Sequence, residues 1–303
     1  MSEQTRVDEF LTSLLSICHP LDPFEMPLLD AHGATLAKDI YAGERLVLKA
    51  DSRIRSTQIG LAASIGLDHL PTRPHPRVVI LSAGPDLVEP GQPISGQEEF
   101  ETNSWLLTTA VREVGAIGYR VHSIPDDEEE LLSVIEDQLV RADLIVISGE
   151  RNDDSFDLIT RTLQKMGEIT TLDLAIENSG RHNFGQIGPD KTPVVTLPGD
   201  PINAYISFEL FVRPMIRTML GVSNIHRPSV KAKLEKAITS TPGTRSYIRA
   251  ILSEDASSVR ALDIQDEIST LSDANSFIAL SEKDDSVAAG ASVNVVVLER
   301  RYI

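Results

Sequence analysis

Cysteine is nearly absent from this 303-residue chain: Cys18 stands alone, so no internal disulfide can form. Long apolar runs are missing too. No stretch approaches the roughly 20 residues needed to cross a bilayer, and the first residues lack the charged, apolar, small-residue pattern of a signal peptide. The expectation is a cytoplasmic protein outside the membrane. Positive charge is scarce: 28 Lys and Arg against 45 Asp and Glu give 28 − 45 = −17. A field of that sign repels phosphate backbones and anionic headgroups, which argues against nucleic acid or a membrane surface as partner. A phosphorylated small molecule could dock only where backbone N–H groups or local cations outweigh it. Histidines 19, 32, 69, 75, 122, 182 and 226 show no metal-ligand spacing, and no local motif suggests a Ser-His-Asp arrangement.

What is present is ordered in three textures. Val7, Phe10, Leu11, Leu14 and Leu15 recur at helical spacing. A second helix is predicted over 56–66, with Ser56 as N-cap, Ile59, Leu61, Ala62 and Ile65 as its apolar set, and Gly66 as its stop. Pro71, Pro74 and Pro76 then read as a stiff linker. From Arg77 short β-branched runs alternate with amphipathic segments, the signature of a mostly parallel sheet covered by helices. Strands are predicted at 77–81, 119–122, 144–148 and 194–197, and helices at 103–114, 127–141, 155–166 and 201–219. The acidic run 127–130 opens the second of these helices and suits the positive end of its dipole. After Gly221 short strands such as 247–252 and 293–298 suggest a small β domain. The division reads as 1–73, an N-terminal helical and linker domain; 74–222, the α/β domain; and 223–303, the β domain.

Ligands of an open parallel sheet gather beyond the C-terminal ends of its strands. The loops to read are therefore 82–86, containing Gly84 and Asp86; 148–154, containing Ser148, Gly149 and Asp154; and 198–201, Pro198-Gly199-Asp200-Pro201. Glycines let a backbone approach a ligand, and the helix after Asp200 presents N–H groups to an oxyanion. Each loop reads equally well as a plain turn.

The stretch from Leu197 to Pro214, LPGDPINAYISFELFVRP, resembles the L-P-G-N-P segment and following helix of the molybdopterin molybdenumtransferase family (MoeA and the gephyrin E domain). The resemblance includes the proline inside that helix. Further stretches agree in order: Leu28-Leu29-Asp30-Ala31-His32-Gly33, Ile59 to Gly66, Leu87-Val88-Glu89-Pro90-Gly91, Asn103-Ser104, Ala274-Asn275 and Ala289-Gly290. The resemblance implies a MogA-like α/β domain and an elongated homodimer. It implies a site that takes molybdopterin or adenylated molybdopterin, with magnesium and molybdate held by acidic residues and phosphate by lysines. Gly84, Asn103, Ser148, Gly149, Arg181, Pro198, Gly199, Asp200 and Pro201 would be the cofactor-binding positions.

Against that pattern the chain departs in one direction. The family's T-G-D-E loop stands here as Ala83-Gly84-Pro85-Asp86. The second glycine of its S-G-G loop is Glu150, and the first metal-type aspartate is Ser155. Asp157 remains at a metal-type position, and a one-residue slip would bring in Asp154. The lysine loop corresponds to Asn178-Ser179-Gly180-Arg181, preceded by Glu177 and followed by His182. The Gly-Ser pair near a phosphate corresponds to Asp266-Glu267, and the asparagine of L-P-G-N-P is Asp200. Between Gly43 and Ser52 only a short bridge stands where the family inserts a domain with the D-N-S-A-M-D-G-Y-A motif. Arg245 and Arg249 are expected on one face of the β domain, salt-bridged or touching ligand, and Trp105 as a core or interface anchor. Three readings follow: a degenerate transferase that keeps its pocket, a gephyrin-like scaffold for a protein or peptide partner, and a working transferase. The last would use Asp86, Asp154 and Asp157 as metal ligands and Arg181 as phosphate cation.

Overall fold

The computed structural model describes residues 5–84, 86–96, 98–124, 127–149, 153–262 and 268–299. Pro85, Glu150, Asp266 and Glu267, all named above, lie outside them.

Runs buried on both faces, such as Val78-Val79-Ile80-Leu81 and Leu144-Ile145-Val146-Ile147, are the mark of strands covered on both sides. They form the centre of a six-stranded sheet. Its order is Gly167–Asp173, Arg181–Ile187, Thr192–Leu197, Leu144–Gly149, Arg77–Ala83, Ile117–Ile124. The last four run parallel, and the first two form an antiparallel hairpin on one edge. That hairpin is absent from the pattern read above, because strand Gly167–Asp173 has no fully buried residue and so no apolar alternation to read.

One face of the sheet carries helices Asn103–Val114 and Pro201–Met219 together with the first helix, Val7–Ser16, whose Val7, Phe10 and Leu14 belong to this core. Helices Glu128–Leu139 and Asp153–Met166 cover the other face. The 201–219 helix is not uniform. It widens to a π turn at Phe208–Val212, where the Arg213 N–H donates to the Phe208 carbonyl, and resumes with Pro214 in its first turn. A proline there lacks the N–H that a continuous ladder would use.

Residues 24–73 form a smaller cluster around Met26, Leu36, Ile54 and Leu70. Here the proline-linker expectation fails for Pro71, while Pro74 and Pro76 lie between strands. Pro71 lies in strand His69–Arg73, the middle strand of a three-stranded sheet. Leu70 and Thr72 alternate inward, and the Pro71 carbonyl accepts the Ala37 N–H at 2.8 Å. Burial with period two outweighs the missing donor. The helix Ser56–Ser64 begins at the expected cap residue itself: Arg55 is the N-cap, and its N–H donates to Gln58 Oε1 at 3.2 Å. Leu61, expected in its apolar set, is 41% exposed. The short bridge after Gly43 is a hairpin, Ile40–Ala42 with Arg45–Leu48, turning through Gly43 at φ +62°, where L side chains are strained.

The C-terminal strands Ser229–Leu234, Ser258–Ala261, Ser246–Leu252, Ser276–Leu280 and Ser292–Val297 close a barrel around Leu234, Val259, Ile278 and Val295. Ile202 and Ile206 of the 201–219 helix pack on Leu271 and Phe277, seating the barrel next to the sheet's C-terminal end. Among the described residues no helix is long and apolar enough to cross a membrane.

Candidate functional site

Strands Arg77–Ala83, Leu144–Gly149 and Thr192–Leu197 run in register and deliver their loops to one place. Asn103, first residue of its helix, joins two of them. Its Nδ2 donates to Ser148 Oγ at 2.6 Å and to the Gly199 carbonyl at 2.7 Å, and Ser148 Oγ donates to the Pro198 carbonyl at 3.2 Å. Asn103 is 7% exposed, and its Oδ1 has no hydrogen-bond partner among the described residues. A buried acceptor of this kind calls for an O–H or N–H from water or ligand. Asn103, Ser148, Gly149, Gly199 and Pro201 line a cleft of about 60 Å³. The cleft is narrow and offers room for a small polar group beside Asn103.

Behind the cleft lies a charge network absent from the sequence reading. Glu101, 1% exposed, accepts Ser82 Oγ at 2.6 Å, the Ser104 N–H at 2.7 Å and the Ser104 hydroxyl, and stands 3.5 Å from Arg120. Arg120 is held by both oxygens of Glu89 at 2.8 and 2.9 Å and stacks 4.1 Å over Trp105. Trp105 is 49% exposed, so the core-anchor expectation is corrected: its ring carries a guanidinium face instead of filling the interior. The available signal was a carboxylate three residues ahead of a helical N–H, a capping pattern that does not announce the partner Arg120.

The residues expected to hold opposite charges are brought to each other. Arg181 Nη1 donates to Asp157 Oδ1 at 3.0 Å, and its guanidinium lies 4.3 Å over the Phe156 ring. Asp86 is exposed on a turn after the strand Arg77–Ala83, and Asp154 is exposed in the first turn of helix Asp153–Met166. Among the described residues no group of three or more His, Cys, Asp or Glu is placed to hold a metal. A magnesium ion takes several hard oxygen ligands. With a guanidinium already on Asp157, the described residues do not fit that ion.

Asp200 caps its own helix: Oδ1 accepts the N–H groups of Ile202 at 3.1 Å and Asn203 at 2.9 Å. The oxyanion docking expected there is therefore pre-empted by a carboxylate of the chain itself. Glu177 turns away from the strand ends to the barrel, accepting Thr241 Oγ1 and Ser246 Oγ at 2.6 Å each. Between it and Asp200 opens a larger cleft of about 580 Å³, lined also by Asn203, Thr241, Tyr247 and Arg249. Arg245 and Arg249 do not share a task. Arg249 is buried and donates to Thr270 Oγ1 at 2.5 Å, while Arg245 reaches Asp8 at 2.9 Å and Glu282 at 3.0 Å.

His182 supports the 177–181 turn from below. It is fully buried; Nδ1 donates to the Thr196 carbonyl at 2.9 Å, and Nε2 lies 2.7 Å from Ser179 Oγ, which donates to it when the ring is neutral. Burial pushes its pKa down from 6.5 to about 4. Between those values the unfolded chain binds a proton that the folded one refuses. Stability is thus full above pH 6.5 and falls as pH drops toward 4, by about 3 kcal/mol for this group. Urea midpoints at pH 7 and pH 5 should separate far more in the parent than in His182→Gln; equal separation would remove the histidine as the cause.

Comparison with known proteins agrees with this architecture. Residues 79–218 match the family described as a probable molybdopterin binding domain, and residues 231–298 match the MoeA C-terminal region (domain IV). Molybdopterin molybdenumtransferase 2 of Mycobacterium tuberculosis is 31% identical over 266 residues, 85% of this chain and 65% of its own length. Molybdopterin molybdenumtransferase 1 of the same organism is 30% identical over 269 residues, 86% of this chain and 63% of its own. The chain thus spans slightly less than two thirds of these relatives. A molybdopterin biosynthesis MoeA protein of Pyrococcus horikosii superposes with a TM-score of 0.85 over 98% of this chain and 100% of its own, at 19% identity, a likeness of fold.

Proposed function

The chain belongs to the MoeA family of molybdenum cofactor biosynthesis proteins, and on that footing we propose that it keeps a pocket for part of a molybdopterin-type ligand while molybdenum insertion is reduced or lost. The observation that carries this reading is the Asp157–Arg181 ion pair at 3.0 Å. The metal-type carboxylate and the candidate phosphate cation cancel each other instead of facing substrates. Asp200 supports it from the other side. It places a carboxylate on the helix N–H groups that would otherwise meet an anion. What persists is the neutral, hydrogen-bonding part of the site: Asn103 with a spare buried acceptor, Ser148, and the Gly149 and Gly199 backbone. These groups suit an uncharged donor on a ring or ribose better than a phosphate or molybdate.

The test is titration with adenylated molybdopterin, with and without magnesium and molybdate, following binding and AMP release. The parent is expected to bind weakly and release no AMP above background; tight binding with AMP release would overturn the proposal. Asp200→Asn keeps a good helix cap while removing the charge. It should tighten binding about tenfold, a change of about 1.4 kcal/mol. No gain would mean that Asp200 does not face the ligand.

A further inference from the structure

At the opposite end of the sheet, a third cleft, of about 440 Å³, lies between the C-terminal ends of helices Glu128–Leu139 and Asp153–Met166 and the 188–192 turn. Strand Thr192–Leu197 begins here and ends at the candidate site, so the two are separated by the length of a strand, roughly 17 Å at 3.3 Å per residue. The cleft belongs to no part of the function proposed above. Its volume falls in the range of small-molecule sites, about 300–1,000 Å³.

Its lining divides by chemistry. Leu132, Leu139 and Met166 make an apolar floor, and Val140, 88% exposed, makes an apolar lip. The turn rests on Leu139 so closely that a Cβ on Gly188, at φ +71°, would fall 2.7 Å from Leu139 Cδ1. Three charged side chains line the rim: Glu136, Asp190 and Lys165. The Lys165 ammonium is held by Glu128 at 2.8 Å and does not neutralise the other two. Neither Glu136 nor Asp190 has an ion-pair partner among the described residues. An apolar floor under two uncompensated carboxylates is complementary to one kind of ligand, a hydrophobic ring system carrying a cation. An anionic ligand meets repulsion from the rim and from the chain's charge of −17.

We propose that this cleft is a binding site for a small aromatic or alicyclic ammonium compound, its ring on Leu132, Leu139 and Met166 and its cation between Glu136 and Asp190. The test uses 2-naphthylmethylamine, the neutral 2-naphthylmethanol and the anionic 2-naphthoate as probes on the whole chain with 13C-methyl methionine. The Met166 signal is assigned by Met166→Leu. The amine is expected to shift that signal and to bind about five- to tenfold tighter than the alcohol, with the carboxylate weakest. The double variant Glu136→Gln with Asp190→Asn should bring the amine down to the alcohol's affinity and leave the alcohol's unchanged. Both residues are exposed, so its thermal midpoint should match the parent's. Equal affinity for amine, alcohol and carboxylate would overturn the proposal. So would an unmoved Met166 signal, no binding of any probe below millimolar, or a double variant that still prefers the amine.

Discussion

Glu209→Gln is expected to lose about 3–5 kcal/mol of stability, the scale for removing one partner of a buried ion pair. The Glu209 side chain is 3% exposed and grips Arg227 through two hydrogen bonds of 2.7 Å, with Arg213 at 3.7 Å. The two arginines are 17% and 12% exposed, so neither charge can turn to bulk water when the carboxylate goes. Burial and then the neighbouring Arg227 already push the Arg213 pKa down to about 10. Removing Glu209 sets the two guanidiniums against each other with less to offset them. Arg227 also donates to the Leu298 carbonyl at 2.7 Å, so the loss should loosen the seat of the barrel on the 201–219 helix. Urea unfolding at low and at 0.5 M salt checks the value. A buried pair is screened little, and a cost that vanishes with salt would show that the pair behaves as exposed. The double exchange Glu209→Leu with Arg227→Met should recover much of the loss, because it leaves fewer stranded charges.

Phe10→Ala is expected to lose about 3–5 kcal/mol in the same cooperative transition as the central sheet. Phe10 has no exposed surface, and its ring stands 4.7 Å from Phe211, 5.4 Å from Phe184 and 5.6 Å from His182. The first helix is thus part of the central core, although the chain must pass through the whole 24–73 cluster before reaching that core's first strand. Trp105 fluorescence, which reports on the central unit, should show the midpoint falling together with the helical circular dichroism. An unchanged Trp105 transition would mean that the helix unfolds separately.

The two exchanges differ in what the sequence offered. Val7, Phe10 and Leu14 announce an apolar helix face by their spacing, though not which core receives it. Three of the four parallel strands were legible because they carry apolar, largely β-branched runs, Val78 to Leu81, Leu144 to Ile147 and Val194 to Leu197, and the barrel because short strands alternate with turn residues. Pro71 misled because proline is a strong local signal, while the burial of Leu70 and Thr72 that overrides it comes from neighbouring strands. The edge hairpin was lost for the opposite reason, having too little apolar alternation to signal anything.

At the site the same division holds, with a sharper physical reason. Local pattern and motif order determined the family, the three loops and the residue types standing in them, since helical spacing, apolar runs and turn residues are patterns among neighbours along the chain. Only the tertiary structure decided what those residues do. Asp157 meets Arg181 across 24 positions, Asn103 reaches Gly199 across 96, and Asp8 holds Arg245 across 237. Hydrogen bonds and charge pairing depend on separations of a few ångströms, and sequence spacing does not set such distances between distant segments. Glu177 read as an acidic intrusion at an anion site and became a clamp on barrel hydroxyls; Asp200 read as a repulsive neighbour and became a helix cap.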